Sequence, residues 1–345
     1  MSVVGLRRTT VAVWFVVATG LLILILFTVG VRETGAAIVA TNRTVLVAMF
    51  AIVVLWAGAW SRTLSIVLSI LDVEHGPIDV VLLFGDVLFA NSVAPSTYLG
   101  GEPLAAYLLT RHTGTDYETS FATVSSVDLL NYAPMVPLAG IGLLYVTATA
   151  TLGRRFELAL TAVCTAFGVL VVGVVYGWGH RRRIVDGVAV TVGRISVGTA
   201  AITPGVRAVS TRRLERRLGL FVDEIEHVST DRRNLKRGLA YSTAGWLLLS
   251  VALWLAIYAV GYTVPPEIVL FVVPLGAITN ILPLPGGLGS VESVFIVLLV
   301  ATAAVPAPEA TAATLLYRAA TYWLPLLFGV GTVTVLQPIR RTTRT

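Results

Sequence analysis

The sequence predicts an all-α polytopic membrane protein, and three properties of the chain support that prediction. Of its 345 residues, 56% are hydrophobic and only 13% are charged, which is about half the charged fraction of a typical soluble domain. The mean hydropathy is +0.85. Several apolar runs are longer than the roughly 18 residues that a helix needs to cross a bilayer. We therefore interpret residues 1–345 as a single integral membrane domain.

Uninterrupted apolar runs predict about six full transmembrane helices, and two further runs are apolar but contain polar interruptions. The interrupted runs cover 80–131 and 267–305, and each is long enough for a helical hairpin or a re-entrant pair. The first belongs to the half 10–179, and the second belongs to the half 238–337. The full spans are predicted at 11–31, 44–71, 133–152, 157–179, 238–262 and 311–337.

A basic cytoplasmic connector is predicted between the two halves. Segment 180–237 contains 13 Arg or Lys residues against 6 Asp or Glu residues. Apolar side chains recur there at spacings of three and four between Leu214 and Val228, a pattern typical of an amphipathic helix. Such a helix lies against anionic lipid headgroups. A solvated connector is the alternative, and both interpretations stay open.

The distribution of arginine predicts the orientation, because cytoplasmic loops carry an excess of Lys and Arg. Segment 180–237 and both chain ends are basic, so we expect a cell-membrane protein with cytoplasmic N- and C-termini. Under that orientation the 80–131 hairpin enters from the cytoplasm and the 267–305 hairpin enters from outside. This arrangement is an inverted-topology repeat, which is typical of transporters with alternating access.

Two polar, glycine-rich segments interrupt the long runs, and they resemble each other. The first cassette, 91–102, reads NSVAPSTYLGGE, and the second cassette, 280–292, reads NILPLPGGLGSVE. Each contains an Asn, a Pro three or four residues later, a Leu-Gly pair and a Glu before a fresh apolar run. Pro and Gly break helices, and hydrocarbon tolerates the freed backbone groups only beside protein or a watery cavity. The cassettes are therefore candidate functional sites.

Ionisable side chains at membrane depth narrow the site further, because their burial is costly and usually functional. Arg318 lies within the last apolar span and needs a buried partner. Glu292 is the first choice; a lipid phosphate is the alternative, since a guanidinium binds phosphate bidentately. A purely structural Glu–Arg pair also stays open. The candidate substrate-binding residues are Glu102, Glu292, Arg318, Gly100, Gly101, Gly286, Gly287, Gly289, Asn91, Asn280, Asp128 and Tyr317.

The sequence predicts no catalytic residue, no metal site and no cofactor. The four histidines are scattered, and the lone Cys164 cannot form a thiolate metal site by itself. A Walker-type phosphate loop and a Gly-x-Ser-x-Gly elbow are both absent from the sequence. The basic residues cluster between apolar runs as membrane orientation requires, so nucleic acid is not an expected partner.

The second cassette carries a family resemblance. Residues 283–292, with 316–318 and 322–325 downstream, resemble the lysylphosphatidylglycerol synthetase transmembrane (flippase-like) family, and 91–102 with 106–109 is similar to that family's first signature. The resemblance implies a polytopic protein that moves a lipid between leaflets.

The resemblance covers about residues 10–337 and has two qualifications. The family's multiple-peptide-resistance members carry a soluble aminoacyl transferase domain after the membrane part. Nothing follows Thr345 in this sequence, so we expect no lysine transfer from tRNA. Relatives often carry a Glu-Arg pair shortly before the return-arm aspartate, whereas 124–128 reads VSSVD here. The charge network around Asp128 is therefore thinner than the resemblance implies.

Together these observations predict a lipid translocase without its own ATPase or aminoacyl transferase domain. It would move a polar lipid or a lipid-linked precursor between leaflets, with anionic lipid headgroups as its partners. An ion-coupled small-solute transporter stays open, as does a non-transporting membrane partner of a separate lipid-modifying enzyme. An intramembrane enzyme is disfavoured by the missing nucleophile, and self-association as a homo-oligomer is left open.

Overall fold

The computed structural model describes residues 8–94, 101–149 and 231–339, with isolated positions between 165 and 230. Residues Met1–Ala150 with Asp231–Thr345 form one compact unit, and Thr151–Thr230 form a second. The described residues are helical or lie in turns, without a strand, and the predicted all-α polytopic class is confirmed. The predicted span 157–179 and almost all of the connector 180–237 lie outside the described residues.

The helices range from 9 to 28 residues in length. Two 3-10 turns, Thr279–Ile281 and Pro285–Gly287, connect α9 to α10, and a π-helical turn, Ala319–Trp323, connects α11 to α12. The helices of the described residues are α1 (Arg8–Val29), α2 (Val31–Val39), α3 (Arg43–Ile70), α4 (Pro77–Val93), α5 (Glu102–Thr113), α6 (Tyr117–Tyr132), α7 (Met135–Thr149), α8 (Arg232–Ala259), α9 (Pro266–Ile278), α10 (Ser290–Ala303), α11 (Ala307–Arg318) and α12 (Leu324–Ile339).

Several of these helical stretches are long and apolar enough to cross a membrane. Four candidates occur in the described residues: Arg43–Ile70, Tyr117–Thr149, Arg232–Ala259 and Pro285–Ala303. The predicted spans at 44–71 and 238–262 correspond to α3 and α8. The total of about six full spans stays a prediction.

The first predicted span, 11–31, is followed by a helix that the sequence analysis does not predict. Helices α1 and α2 together form a further candidate span that is bent by 89°. The bend lies at Gly30, whose φ of 112° is readily adopted only by glycine. Helix α2 then packs against α11.

The helix breaks predicted at both cassettes are present. Helix α4 ends before the first cassette is complete, and α5 begins at Glu102. In the second cassette, Gly286, Gly287 and Gly289 have φ values of 54°, 66° and 84°. An α-helix cannot continue through three residues with positive φ. The inverted orientation of the two interrupted runs stays a prediction.

Close helix packing positions the second cassette. Helix α3 packs along α8, where the Trp60 indole fills the space that a side chain at Gly245 would need. Helix α4 packs against α12, where a Cβ added at Gly329 would lie 2.6 Å from the carbonyl oxygen of Gly85. Small residues allow this close approach between membrane helices.

Candidate functional site

Glu292 holds the second cassette to the start of α10. Its Oε2 accepts a hydrogen bond from the backbone N–H of Gly289 at 2.6 Å, which caps the first turn of the helix. Its Oε1 accepts a hydrogen bond from Arg318 Nε at 2.7 Å. The residue is 1% exposed. Both oxygens of this buried carboxylate therefore have a donor, as a buried charge requires.

Arg318 ends α11 and connects three parts of the site. Besides Glu292, its Nη2 donates to the carbonyl oxygen of Gly286 at 2.7 Å. Its guanidinium carbon lies 4.7 Å from the centroid of the Tyr322 ring, within the range of a cation–π contact. The predicted pairing of Arg318 with Glu292 is confirmed. Nη1 makes no hydrogen bond to the described residues, so one nitrogen remains available to a ligand.

Tyr322 joins the two cassettes. Its ring occupies the space that a Cβ at Gly286 would need. Its hydroxyl donates to the carbonyl oxygen of Ser92, in the first cassette, at 3.2 Å. Tyr322 is not among the candidates from the sequence. It lies four residues after Arg318, a spacing that places two side chains on one helix face, and that spacing is the signal that was available.

The opening asparagine of each cassette packs onto a glycine of the same cassette. The Asn280 side-chain oxygen lies 2.4 Å from the position that a Cβ of Gly287 would take, and the Asn91 side-chain oxygen lies 2.4 Å from the corresponding position at Gly101. This shared contact is a structural likeness between the cassettes that supplements their similar sequences. Gly100 and the preceding residues 95–99 lie outside the described residues.

A cavity of about 140 Å³ lies beside the second cassette. Each of the four candidate membrane spans contributes a lining residue. Three of the candidates predicted from the sequence, Asn280, Tyr317 and Arg318, also line it. The aromatic part of the lining consists of Trp56, Trp60, Tyr132, Trp246, Phe295 and Tyr317.

The three tryptophans of this cavity are absent from the candidates chosen by sequence. The rings of Trp56 and Trp60 have centroids 5.3 Å apart, and those of Trp60 and Trp246 have centroids 5.8 Å apart, both edge to face. Trp56 and Trp60 are four residues apart within a long apolar run, away from the interfaces where tryptophan is usual. That position could have marked Trp56 and Trp60 as candidates, but nothing in the sequence connects them to Trp246.

Glu102 and Asp128 form a second polar group. Their carboxyl groups are neighbours in the structure, and the Ser125 hydroxyl donates to Glu102 Oε2 at 3.1 Å. Two neighbouring carboxyl groups repel each other when both are ionised. No contact with Arg318 occurs in the described residues. The predicted acidic residues therefore separate into a Glu292–Arg318 pair and a Glu102–Asp128 pair.

A third polar contact joins α4, α5 and α12. His112 Nδ1 lies 2.5 Å from Asp86 Oδ2, and the Thr332 hydroxyl donates to Asp86 Oδ1 at 2.9 Å. Asp86 is 1% exposed, so these contacts compensate a buried carboxylate. Among the residues that the structure describes, no three His, Cys, Asp or Glu side chains come together as a metal site would require.

Interrupted apolar helices around a buried charged network and an aromatic cavity define a multi-pass α-helical membrane protein with an internal polar site. The first part of that description follows from the apolar spans, and the second follows from the Arg318 contacts. The chain belongs to the family described as the lysylphosphatidylglycerol synthase TM region, whose model matches residues 11–329.

Three relatives show how far the similarity extends. A UPF0104 membrane protein of Methanothermobacter thermautotrophicus is 27% identical over 333 residues, 94% of this chain and 92% of the relative. A second UPF0104 membrane protein of that organism is 28% identical over 296 residues, 82% of each chain. Glycosyltransferase AglD of Haloferax volcanii is 26% identical over 268 residues, 70% of this chain and 41% of AglD.

Proposed function

We propose that this protein moves a polar lipid or a lipid-linked precursor between the leaflets of the cell membrane without an ATPase of its own. The strongest support is Arg318, a buried cation that lines a cavity among apolar helices and keeps Nη1 unbonded. A cation in such surroundings is costly and usually functional. A guanidinium also matches the geometry of a phosphate.

The Glu292–Arg318 pair leaves part of the guanidinium available to an anion. Glu292 balances the charge of Arg318 through Nε, and the Gly286 carbonyl occupies Nη2. An anionic headgroup then binds at Nη1 without breaking either contact. The contact with the Gly286 carbonyl keeps the backbone of the second cassette beside the guanidinium, and Asn280 and Tyr317 add polar groups from the cavity wall.

In the proposed mechanism, the two cassettes move when a headgroup binds. Tyr322 contacts Arg318, Gly286 and the first cassette. A headgroup that displaces the Tyr322 ring therefore acts on both cassettes at once. Movement is downhill, by exchange, or coupled to an ion. The similarity to Glycosyltransferase AglD favours a lipid-linked precursor of glycosyl transfer among the substrates considered.

The test is lipid scrambling in proteoliposomes. Headgroup-labelled phosphatidylglycerol is incorporated in both leaflets, and an impermeant reductant bleaches the label that reaches the outer leaflet. Arg318→Lys keeps the charge but loses the planar fork, so we expect a scrambling rate at least tenfold lower. Arg111→Lys, at an exposed arginine of α5, is the matched control and keeps the wild-type rate. Equal rates for both variants, at equal amounts of folded protein, would refute the proposal.

An ion-coupled small-solute transporter is the second candidate, and the Glu102–Asp128 pair favours it. Neighbouring carboxyl groups at membrane depth can take up and release a proton during transport. The outcome that separates the two candidates is uptake of labelled solutes into proteoliposomes under an imposed pH gradient. Uptake that Asp128→Asn abolishes, together with no lipid scrambling, would select the solute transporter.

A further inference from the structure

We infer that the cavity beside Arg318 binds a sugar ring, so that the transported headgroup is a glycosyl phosphate on a lipid chain. This inference rests on the proposed lipid movement and names its substrate class. It follows from four properties of the cavity, which are its volume, its aromatic walls, an unpaired indole N–H and an unbonded nitrogen of the Arg318 guanidinium.

The volume matches one six-membered ring. The cavity holds about 140 Å³, and an engineered protein cavity of about 150 Å³ takes up one benzene molecule. A single pyranose therefore fills the available space.

The walls suit the apolar faces of such a ring. Three indoles, packed edge to face at centroid distances of 5.3 and 5.8 Å, line the cavity together with Tyr132 and Phe295. Aromatic faces are electron-rich, and the C–H groups on the face of a pyranose are weakly positive. A sugar ring stacked on these walls replaces water with dispersion contacts and leaves its hydroxyl groups at the ring edge.

The unpaired donor is the indole N–H of Trp56. The N–H groups of the neighbouring Trp60 and Trp246 donate to the carbonyl oxygens of Ser242 and Asn131. Trp56 is 4% exposed, and its N–H has no acceptor among the described residues. A buried donor without an acceptor is unfavourable. A hydroxyl oxygen at the edge of a bound sugar supplies the missing acceptor.

The unpaired hydrogen-bond donors of the lining select an acceptor-rich ligand. Arg318 contributes a guanidinium with Nη1 unbonded, and the lining residues include no carboxylate within the described chain. A quaternary ammonium is attracted to aromatic faces. It is, however, repelled by the guanidinium and offers no acceptor to the Trp56 N–H. A glycosyl phosphate satisfies both donors, with its phosphate at Arg318 and a sugar oxygen at Trp56.

The experiment measures binding to the full chain in detergent. The probes are a short-chain polyprenyl phosphoglucose, the same polyprenyl phosphate without sugar, and the same lipid carrying phosphocholine, each titrated by calorimetry. We expect the phosphoglucose to bind at least tenfold more tightly than the bare phosphate. Trp56→Phe keeps the ring and removes the N–H, so it lowers the affinity for phosphoglucose about three- to tenfold and leaves the affinity for bare phosphate unchanged.

The control is Trp254→Phe, because the Trp254 indole donates to the Val264 carbonyl oxygen at 2.9 Å and lies outside the cavity lining. We expect Trp254→Phe to bind all three probes with the wild-type affinities. If Trp56→Phe fails to fold, Thr321→Val, at another polar lining position, takes its place with the same expected selectivity. Equal binding of phosphoglucose and bare phosphate, tighter binding of phosphocholine, or an identical loss for all probes would overturn the inference.

The binding result and the scrambling result separate the two proposals. If the protein scrambles phosphatidylglycerol but does not prefer the glycosylated probe in the binding experiment, the sugar site is refuted and the proposed lipid movement is not. If the protein binds phosphoglucose selectively but moves no lipid, the proposed function is refuted and the sugar site is not.

Discussion

Arg318 and Glu292 fix the backbone geometry of the second cassette. The two side chains meet at 2.7 Å and are 8% and 1% exposed as residues. In such a pair the attraction roughly offsets the cost of removing both charges from water, whereas one charge left alone is strongly destabilising. The pair is therefore better described as a device that fixes backbone geometry than as a source of net stability.

Removal of one partner tests that description. We expect Glu292→Ala to lower the free energy of unfolding by about 3–5 kcal/mol, because Arg318 is then buried without a counter-charge. The double variant Glu292→Ala with Arg318→Met recovers part of that loss. Thermal unfolding in one detergent measures both. Glu74→Ala, at an exposed carboxylate, is the control, and a Glu292→Ala value as small as the control value would contradict the prediction.

Substitution of Gly286 by alanine tests the contact between this residue and Tyr322. Its φ is 54°, and the Tyr322 ring fills its Cβ position. Gly114 has a φ of 79° and nothing within 4 Å of its Cβ position. An alanine at either position adopts an unfavourable left-handed conformation, which costs about 1–2 kcal/mol. Only Gly286→Ala also has to displace Tyr322, which adds about 1–3 kcal/mol.

The measurement for this prediction is the difference between the two alanine variants in chemical or thermal unfolding. A larger loss for Gly286→Ala than for Gly114→Ala supports the packing of Tyr322 on the second cassette. Equal losses would mean that the ring moves freely, and the proposed connection between the cassettes would then be withdrawn.

At the scale of elements, glycine contacts set the distances between helices. Helices α4 and α12 approach until a Cβ at Gly329 would lie 2.6 Å from the Gly85 carbonyl oxygen and 2.6 Å from the Phe89 Cβ. The Thr332 hydroxyl reaches Asp86 across the same contact at 2.9 Å. Without strong hydrophobic attraction between helices in lipid, such close packing is what holds them together.

Two alanine substitutions in α12 test this contact. We expect Gly329→Ala to lower the free energy of unfolding by about 1–3 kcal/mol, because backbone of α4 lies in the way of the new methyl group. Gly331→Ala, in the same helix with nothing within 4 Å of its Cβ position, leaves stability unchanged or slightly higher. Unfolding in lipid nanodiscs compares them, and a neutral Gly329→Ala would show that α4 and α12 separate at little cost.

The bend between α1 and α2 shows where element prediction from hydropathy is insufficient. The apolar run predicts a span at 11–31, but Gly30 turns the chain by 89° and the residues after it form α2. Glycine within an apolar run is also compatible with a straight helix. The contact of α2 with α11 is what selects the bent form.

For the whole molecule, the arginine distribution predicts an inverted arrangement of the two interrupted runs. In a Cys164→Ser background, which removes the single cysteine of the chain, one new cysteine is placed at Glu74 or at Thr263, both exposed. We expect an impermeant maleimide to label Thr263→Cys in intact cells. We expect Glu74→Cys to react only after the membrane is permeabilised. Labelling of both positions from one side would contradict the inverted repeat.

Much of the site could be predicted from the sequence, because it depends on residues that are close together in the chain. Gly286 and Gly289 follow Pro283 and Pro285 closely, and such a cluster of helix-breaking residues disrupts a helix in any surroundings. Arg318 interrupts an apolar run, and its burial requires a counter-charge. The hydropathy of the runs at 44–71 and 238–262 is likewise a property of neighbours in the chain, so α3 and α8 are predicted correctly.

Long-range contacts decided the rest. The Tyr322–Ser92 hydrogen bond joins residues 230 positions apart, and the bond from Trp246 to Asn131 spans 115 positions. No periodicity or motif specifies such partners, because they depend on which helix faces meet after packing. Hydropathy and helix-breaking residues therefore predict that a polar site lies among membrane helices, whereas the packed bundle alone determines its aromatic walls and the tyrosine that connects its two cassettes.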